Sequence, residues 1–271
     1  ALKRGVDLII ATPGRLLDLI NQGYCKLDKI EFFVLDEADR MLDMGFINDV
    51  KKIVKVIPKK RQTLFFSATM PTAVESLASN LLYKPEQISI KPSSTPVEKI
   101  SQLVCFVRAE DKRKYLQNLL KEINFYSVII FTRTKHGANR LAAEIKSSNI
   151  ISDALHGNKS QAARQRTLKD FKSGKVNVLV ATDIAARGID IEGISHVINY
   201  ELPNVPEDYI HRIGRTARAG ASGTAISMCA PNEQPFLKSI EKLMGLSIKI
   251  SDGKPSTNKD EINKKLQRKS T

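Results

Sequence analysis

Glu31-Phe32-Phe33-Val34-Leu35-Asp36-Glu37-Ala38-Asp39 sets the fold class. An apolar run rich in Phe and Val breaks directly into clustered carboxylates. The run predicts a buried strand over 31–35. Its acids then stand at the carboxyl edge of a sheet, where α/β proteins bind ligands. Carboxylates there suit the holding of Mg²⁺ on a nucleoside triphosphate and the orienting of an attacking water. An acidic cap on a strand end is the plainer alternative.

Outward from this stretch the same pattern repeats. Strands are predicted at Asp7 to Ala11, Thr63 to Phe66 and Gln87 to Ile90, leading in two cases into Thr12-Pro13-Gly14-Arg15 and Ser67-Ala68-Thr69. Lys91 to Glu98 is polar and holds two prolines, which reads as a linker over 91–99. Beyond it the alternation is fuller. Strands are predicted at Ser101 to Val107, Ser127 to Thr132, Ile151 to Leu155, Val176 to Ala181, His196 to Tyr200 and Thr224 to Cys229. Helices fall between them at Asp111 to Ile123, Lys135 to Ser147, Gln161 to Phe171, Glu207 to Ala217 and Glu233 to Met244, with Ser160 a candidate N-cap and Gly174 a candidate stop. Strands rich in Val, Ile and Phe that alternate with helices imply parallel sheets covered on both faces, an α/β fold. Residues 100–245 read as one complete domain and 1–90 as an incomplete one. Lys254 to Thr271, with six basic and two acidic residues, extends a basic tail predicted over 246–271 to lack packed structure.

The 271 residues carry 43 Lys and Arg against 29 Asp and Glu, a net charge of +14. Such a surplus suits a polyanionic partner. No apolar run approaches the roughly 18 residues of a membrane span, so no membrane partner is expected. The three cysteines, Cys25, Cys105 and Cys229, form no CxxC pair, which argues against a Cys-based zinc site and fits a reducing cytosol. The chain opens Ala1-Leu2-Lys3-Arg4 without Met and reads as a fragment.

Further residues carry chemistry. Arg212, Arg215 and Arg218 recur at three-residue spacing, which on a helix puts them on one side, and a guanidinium fork matches phosphate oxygens. Taken alone, these residues are better explained by a solvated basic face, and an ordinary interface histidine is the alternative for His211. Thr182 can donate to a backbone phosphate and Asp190 can accept from ribose hydroxyls. Thr12, Gly14 and Arg15 offer a helix N-terminus with an Arg beside it, a geometry that favours phosphate. Gln161 and Arg164 offer the same in the first turn of their helix.

Together and in order, TPGR (12–15), DEAD (36–39), SAT (67–69), IIFTRT (129–134), Gln161-x-x-Arg164, TDIAARGID (182–190) and HRIGRTAR (211–218) resemble the DEAD-box RNA helicases of superfamily 2. HGNKSQAARQR (156–166) and NYELPNVPEDYIHRIGRTARAG (199–220) look most like the bacterial RhlE-type branch. The resemblance implies tandem RecA-like domains, the first incomplete and the second complete, that close over ATP and Mg²⁺ and bind RNA. By position it implies that Asp36 holds Mg²⁺ through water and Glu37 is the general base. Asp39, Ser67 and Thr69 couple the nucleotide site to RNA, and Asp190 and His211 belong to the ATP side. Arg215 and Arg218 reach the γ-phosphate. Thr12, Gly14, Arg15, Thr134, Gln161, Arg164, Thr182 and Arg187 grip the RNA backbone. It further implies a cytoplasmic monomer acting on ribosomal or messenger particles.

Two departures stand out. No GxxxxGK[ST] occurs in the chain, and without its amide cradle and Lys the chain is expected to be inactive toward ATP. The missing P-loop strand would pair beside Thr63 to Phe66, so residues 1–90 are expected not to fold stably while 100–245 fold alone. Ala217 stands where the family usually has Gly, and its small methyl predicts little effect. The competing readings are a non-enzymatic RNA-binding protein on a RecA-like scaffold and a DNA-directed superfamily 2 translocase.

Overall fold

In a computed structural model, residues 2–89, 100–186, 189, 193–217 and 223–254 are described. The chain divides into two compact units, Ala1–Ile90 and Lys91–Thr271.

The first unit holds α1 (Pro13–Asn21), β1 (Phe32–Leu35), α2 (Ala38–Asp43), α3 (Ile47–Val56), β2 (Gln62–Phe65) and α4 (Thr72–Leu81). β1 and β2 pair in parallel, Phe32 against Gln62 and Leu35 against Phe65. One cluster packs Leu35 and Ala38 against Val50, Val74 and Leu77, and a second gathers Cys25, Leu27, Ile53 and Ile57. The strands expected at 7–11 and 87–90 do not form over their described residues. Leu8, Ile10 and Ile88 are exposed, and none of these residues joins a ladder. An extended run becomes a strand only when a neighbour takes its amides and carbonyls. Ile90 and the linker lie outside the described residues.

The second unit holds β3 (Ile100–Phe106), α5 (Lys112–Glu122), β4 (Val128–Phe131), α6 (Lys135–Lys146), β5 (Ser152–Leu155), α7 (Gln161–Lys172), β6 (Val178–Ala181), α8 (Asp183–Ala186), β7 (His196–Asn199), α9 (Pro206–Ile213), β8 (Gly223–Cys229), α10 (Gln234–Met244) and β9 (Lys249–Asp252). Its seven strands run parallel in the order β5-β6-β4-β7-β8-β3-β9. Strand alternation sends Val128 and Ile130 toward Leu116, Leu141 and Ile145 of α5 and α6, and Ile129 and Phe131 toward Phe171 and Ala185. Both faces are therefore covered, and Val178 to Ala181 have no exposed surface. Ser160 caps α7 as expected, its hydroxyl accepting from the Ala163 amide at 3.2 Å. Gly174, at φ +74°, follows the last turn, its amide donating to the Phe171 carbonyl at 3.1 Å.

Three expectations change. The second domain does not end at 245: Ile248 is buried, and Lys249–Asp252 adds an edge strand to β3. The polar alternation of that strand hid it within a segment that read as tail. α9 stops at Ile213, short of 217, because the Thr216 hydroxyl leaves the helix to donate to the Ile194 carbonyl at 2.5 Å. Ala217 then takes φ +56°, so at this position the backbone conformation, more than the size of the methyl, sets the energy. Among the described residues no helix is long and apolar enough to cross a membrane.

Candidate functional site

In the first unit the acids end β1 as expected. Asp39 is buried and its oxygens are taken: Oδ2 accepts from the Thr69 amide and hydroxyl, both at 2.9 Å, and Oδ1 from the Arg40 amide at 3.0 Å. Ser67 Oγ accepts from the Asp39 amide at 3.2 Å and donates to the Thr69 carbonyl at 2.7 Å. The parallel pairing of β1 with β2 brings these two corners together, and the Ala38 amide adds a bond to the Phe66 carbonyl at 3.0 Å. Asp36 and Glu37, in contrast, face solvent. Asp36 Oδ1 accepts from the Glu37 amide at 2.8 Å, and the Glu37 carboxylate pairs with Arg40. Glu37 sits in the left-handed region, φ 52° and ψ 47°. A non-glycine residue held there carries strain of about 1–3 kcal/mol, of the kind that clusters at active sites. Thr12 precedes α1 without a side-chain cap bond, with Gly14 inside the first turn and Arg15 exposed and paired with Asp18 at 2.5 Å.

In the second unit β5, β6 and β4 are neighbours, so the residues that follow them share one sheet edge. Thr134 caps α6, its hydroxyl accepting from the Gly137 amide at 3.0 Å. Arg164 Nη1 donates to Gln161 Oε1 at 3.4 Å at the head of α7. Thr182 opens α8, its amide donating to the Leu155 carbonyl at 3.2 Å. No acid lies in the first turn of α6 or α7, which leaves both helix N-termini positive.

A small cleft beside β4 is lined by Phe131, Asp183, Ala186, Asp208, His211, Arg212 and Arg215. Here the expected arginine face is redrawn. Arg212 is on α9 and buried, forming a bidentate pair with Asp183 at 2.6 and 2.8 Å. It also donates to Asn199 Oδ1 and the Glu201 carbonyl, and lies over the Phe131 ring. Arg215 falls past the helix end, where it donates to the Ile189 carbonyl at 2.9 Å. His211 Nδ1 stands 4.0 Å from Asp208 Oδ1. Arg187, Asp190 and Arg218 lie outside the described residues. Sequence reading missed Arg212 as a structural hub. The available signal was an Arg between Ile210 and Ile213, a spacing that turns it toward the core side of α9.

Among the described residues no cluster of three or more His, Cys, Asp or Glu could hold a metal. The exposed Asp36 carboxylate fits Mg²⁺, which binds through one or two carboxylates, waters and substrate phosphates and needs no protein cage.

Residues 1–77 match the family described as DEAD/DEAH box helicase, and residues 111–220 match the helicase conserved C-terminal domain. The chain belongs to the DEAD-box helicase family. Relatives include the ATP-dependent RNA helicase CshA of Listeria monocytogenes, 44% identical over 89% of this chain and 46% of that protein. The RNA helicase CrhR of Synechocystis is 45% identical over 92% of this chain and 51% of that protein. This DEAD-box chain therefore spans about half the length of the curated relatives it matches. Among solved structures, Saccharomyces cerevisiae Dbp5 bound to RNA and ADP BeF3 superposes with a TM-score of 0.80 at 36% identity, over 96% of this chain and 68% of that one. The Escherichia coli DEAD-box protein SrmB bound to RraA gives 0.55 at 37% identity, over 59% and 96%.

Proposed function

We propose that this DEAD-box chain works within an ATP-dependent RNA helicase, contributing the hydrolytic carboxylates and an RNA-gripping surface. Residues 1–90 belong to the first RecA-like domain, 91–99 to the linker and 100–245, with β9, to the second. The observation that carries the reading is the division of labour in 36–39. The Asp39 carboxylate is engaged by Thr69 and the Arg40 amide and its own amide by Ser67, while Asp36 and Glu37 stay exposed, Glu37 in a strained left-handed conformation. An acid that only capped a strand would have no need of that strain.

In this reading Asp36 holds Mg²⁺ through water and Glu37 accepts the proton of the attacking water. Asp39 transmits movement between the acid corner and Ser67 and Thr69. Arg215, with Arg218, His211 and Asp190, serves the phosphates and ribose. ATP, when bound, supplies the free energy for closing on RNA. Thr12, Gly14, Arg15, Thr134, Gln161, Arg164, Thr182 and Arg187 hold the RNA backbone, and backbone contacts make the binding indifferent to sequence. The protein is a cytoplasmic monomer of the RhlE-type branch, acting on ribosomal or messenger particles.

The test joins residues 1–271 behind the GxxxxGK[ST]-bearing segment of a DEAD-box relative and measures ATP hydrolysis with and without single-stranded RNA. The fusion should show RNA-stimulated turnover that Glu37→Gln removes while RNA binding survives. The 271-residue chain itself should bind RNA and stay at background turnover. RNA-stimulated hydrolysis undiminished by Glu37→Gln would sink the assignment.

A further inference from the structure

Away from the acids of the first unit, the second unit contains a buried charge cluster that the reading above does not use. Glu233, on the short turn before α10, is 3% exposed. Its Oε1 accepts from Arg133 Nη2 at 2.5 Å and from the Leu202 amide at 3.1 Å. Its Oε2 accepts from the Ala230 amide at 3.0 Å and from the Lys112 ammonium. Lys112 is equally buried and donates also to the Tyr200 and Met228 carbonyls, at 2.7 and 2.9 Å. Burial pushes its ammonium down from the ordinary value, and the Glu233 carboxylate opposes that. All three Lys112 donors therefore have acceptors, and Glu233 receives four donors. Such saturation is what a buried ion pair needs to persist.

The partners of Glu233 matter more than its stability. They come from the connections that leave β4, β7, β8 and β3, four adjacent strands. Arg133 is the pivot. Its Nε donates to the Leu202 carbonyl at 2.9 Å, its backbone amide to Glu201 Oε2 at 2.7 Å, and its guanidinium lies over the Phe236 ring. The residue that follows is Thr134, whose hydroxyl caps α6 and whose neighbourhood carries no acid in the first helical turn. Side chain and backbone of Arg133 are thus both fixed immediately before the proposed phosphate contact. An apolar residue in place of Glu233 would fill the volume but could not aim Arg133.

We propose that Glu233 is a positioning residue for RNA capture: through Arg133 it fixes the connection from β4 to α6, so that Thr134 and the amides heading α6 meet a backbone phosphate. Arg133 in this scheme points inward to Glu233 and makes no phosphate contact of its own. The inference rests on the RNA-binding reading of Thr134 given above.

The test is a double-mutant cycle on the 271-residue protein, with affinity for fluorescein-labelled single-stranded RNA read by anisotropy across a KCl series. Arg133→Met leaves Glu233 bonded to Lys112 and to two amides, so the unit keeps its fold where Glu233→Gln could fail to. Arg133→Met should weaken binding about tenfold, Thr134→Ala by a similar factor, and the double variant by little more than either alone, since both disable one contact. The dependence of log affinity on log salt should keep its slope in Arg133→Met, because no phosphate charge contact is lost. Additive losses, or a slope reduced by about one, would overturn the proposal in favour of an Arg133 that touches RNA itself. Unchanged binding in Arg133→Met would overturn it as well. Wild-type protein that does not bind RNA would remove the reading on which the proposal stands, an outcome distinct from wild-type binding with additive variants.

Discussion

The corner after β1 and the corner after β6 are built alike and use their acids differently. Each is a short parallel strand that runs into Asp and then a short helix, Leu35-Asp36-Glu37-Ala38-Asp39 in one case and Ala181-Thr182-Asp183 in the other. After β6, Asp183 is locked to the buried Arg212, and every residue of the strand is sealed from solvent. After β1, Asp36 and Glu37 remain exposed, and so do Phe32 at 63% and Val34 at 54% of their surface. One corner uses its carboxylate to hold helices together. The other keeps two carboxylates exposed. An acid after a parallel strand is thus a structural partner in one unit and an exposed group in the other.

The largest consequence is in local opening. Amides of 128–131 and 178–181 sit in strands with neighbours on both sides, whereas those of 32–35 and 62–65 belong to a two-stranded sheet, which is marginal on its own. Amide hydrogen exchange should be faster in the first unit by roughly a thousandfold, some 4 kcal/mol of opening free energy. Equal protection in the two sheets would break the comparison. Limited proteolysis should cut within 2–89 first and leave a resistant fragment that includes β9.

Next in size is Arg212. Arg212→Gln leaves Asp183 partly buried without its cation and should cost about 3–5 kcal/mol of unfolding free energy in the second unit, read by urea denaturation. Glu37→Gln should move the unfolding curve of the first unit by under about 0.5 kcal/mol, since it alters an exposed side chain. If the two substitutions cost the same, the acids of the two corners are not differently used. Between these lies Asp39→Asn, which turns an acceptor toward a donor at the Thr69 amide. It should cost about 1–3 kcal/mol in the first unit.

How much of this could be read in the chain follows from the same contrast. Strands over 100–229 were legible because burial on both faces writes a continuous run such as Val178-Leu179-Val180-Ala181. The segment at 7–11 is comparably apolar, yet composition does not say whether a neighbour will supply hydrogen bonds. β9 was illegible for the opposite reason: Lys249-Ile250-Ser251-Asp252 is exposed throughout and looks like tail. At the site, Asp36, Glu37 and the Ser67–Thr69 turn were visible as motifs. Asp39 as the clasp, and Arg212 and Glu233 as hubs, depend on partners 28 to 121 residues away and could not be seen in any local pattern.

The smallest effect is at Ala217, where the size and the conformation of one residue pull in opposite directions. By size alone, Ala217→Gly removes a group that packs beside the α9 and α10 core and should destabilise slightly. By conformation, φ +56° costs an L-residue about 1–2 kcal/mol that glycine does not incur. Glycine in turn brings extra freedom to the unfolded chain, which offsets about 0.4–1 kcal/mol of that gain. Relief of strain exceeds both losses, so Ala217→Gly should stabilise the second unit by about 0.5 kcal/mol, a rise in Tm of about 1–2 °C. Calorimetry on the paired proteins reads this directly. A fall in Tm would mean that packing outweighs strain, and that the left-handed turn after α9 is held by Thr216 and its carbonyl partners at no cost to residue 217.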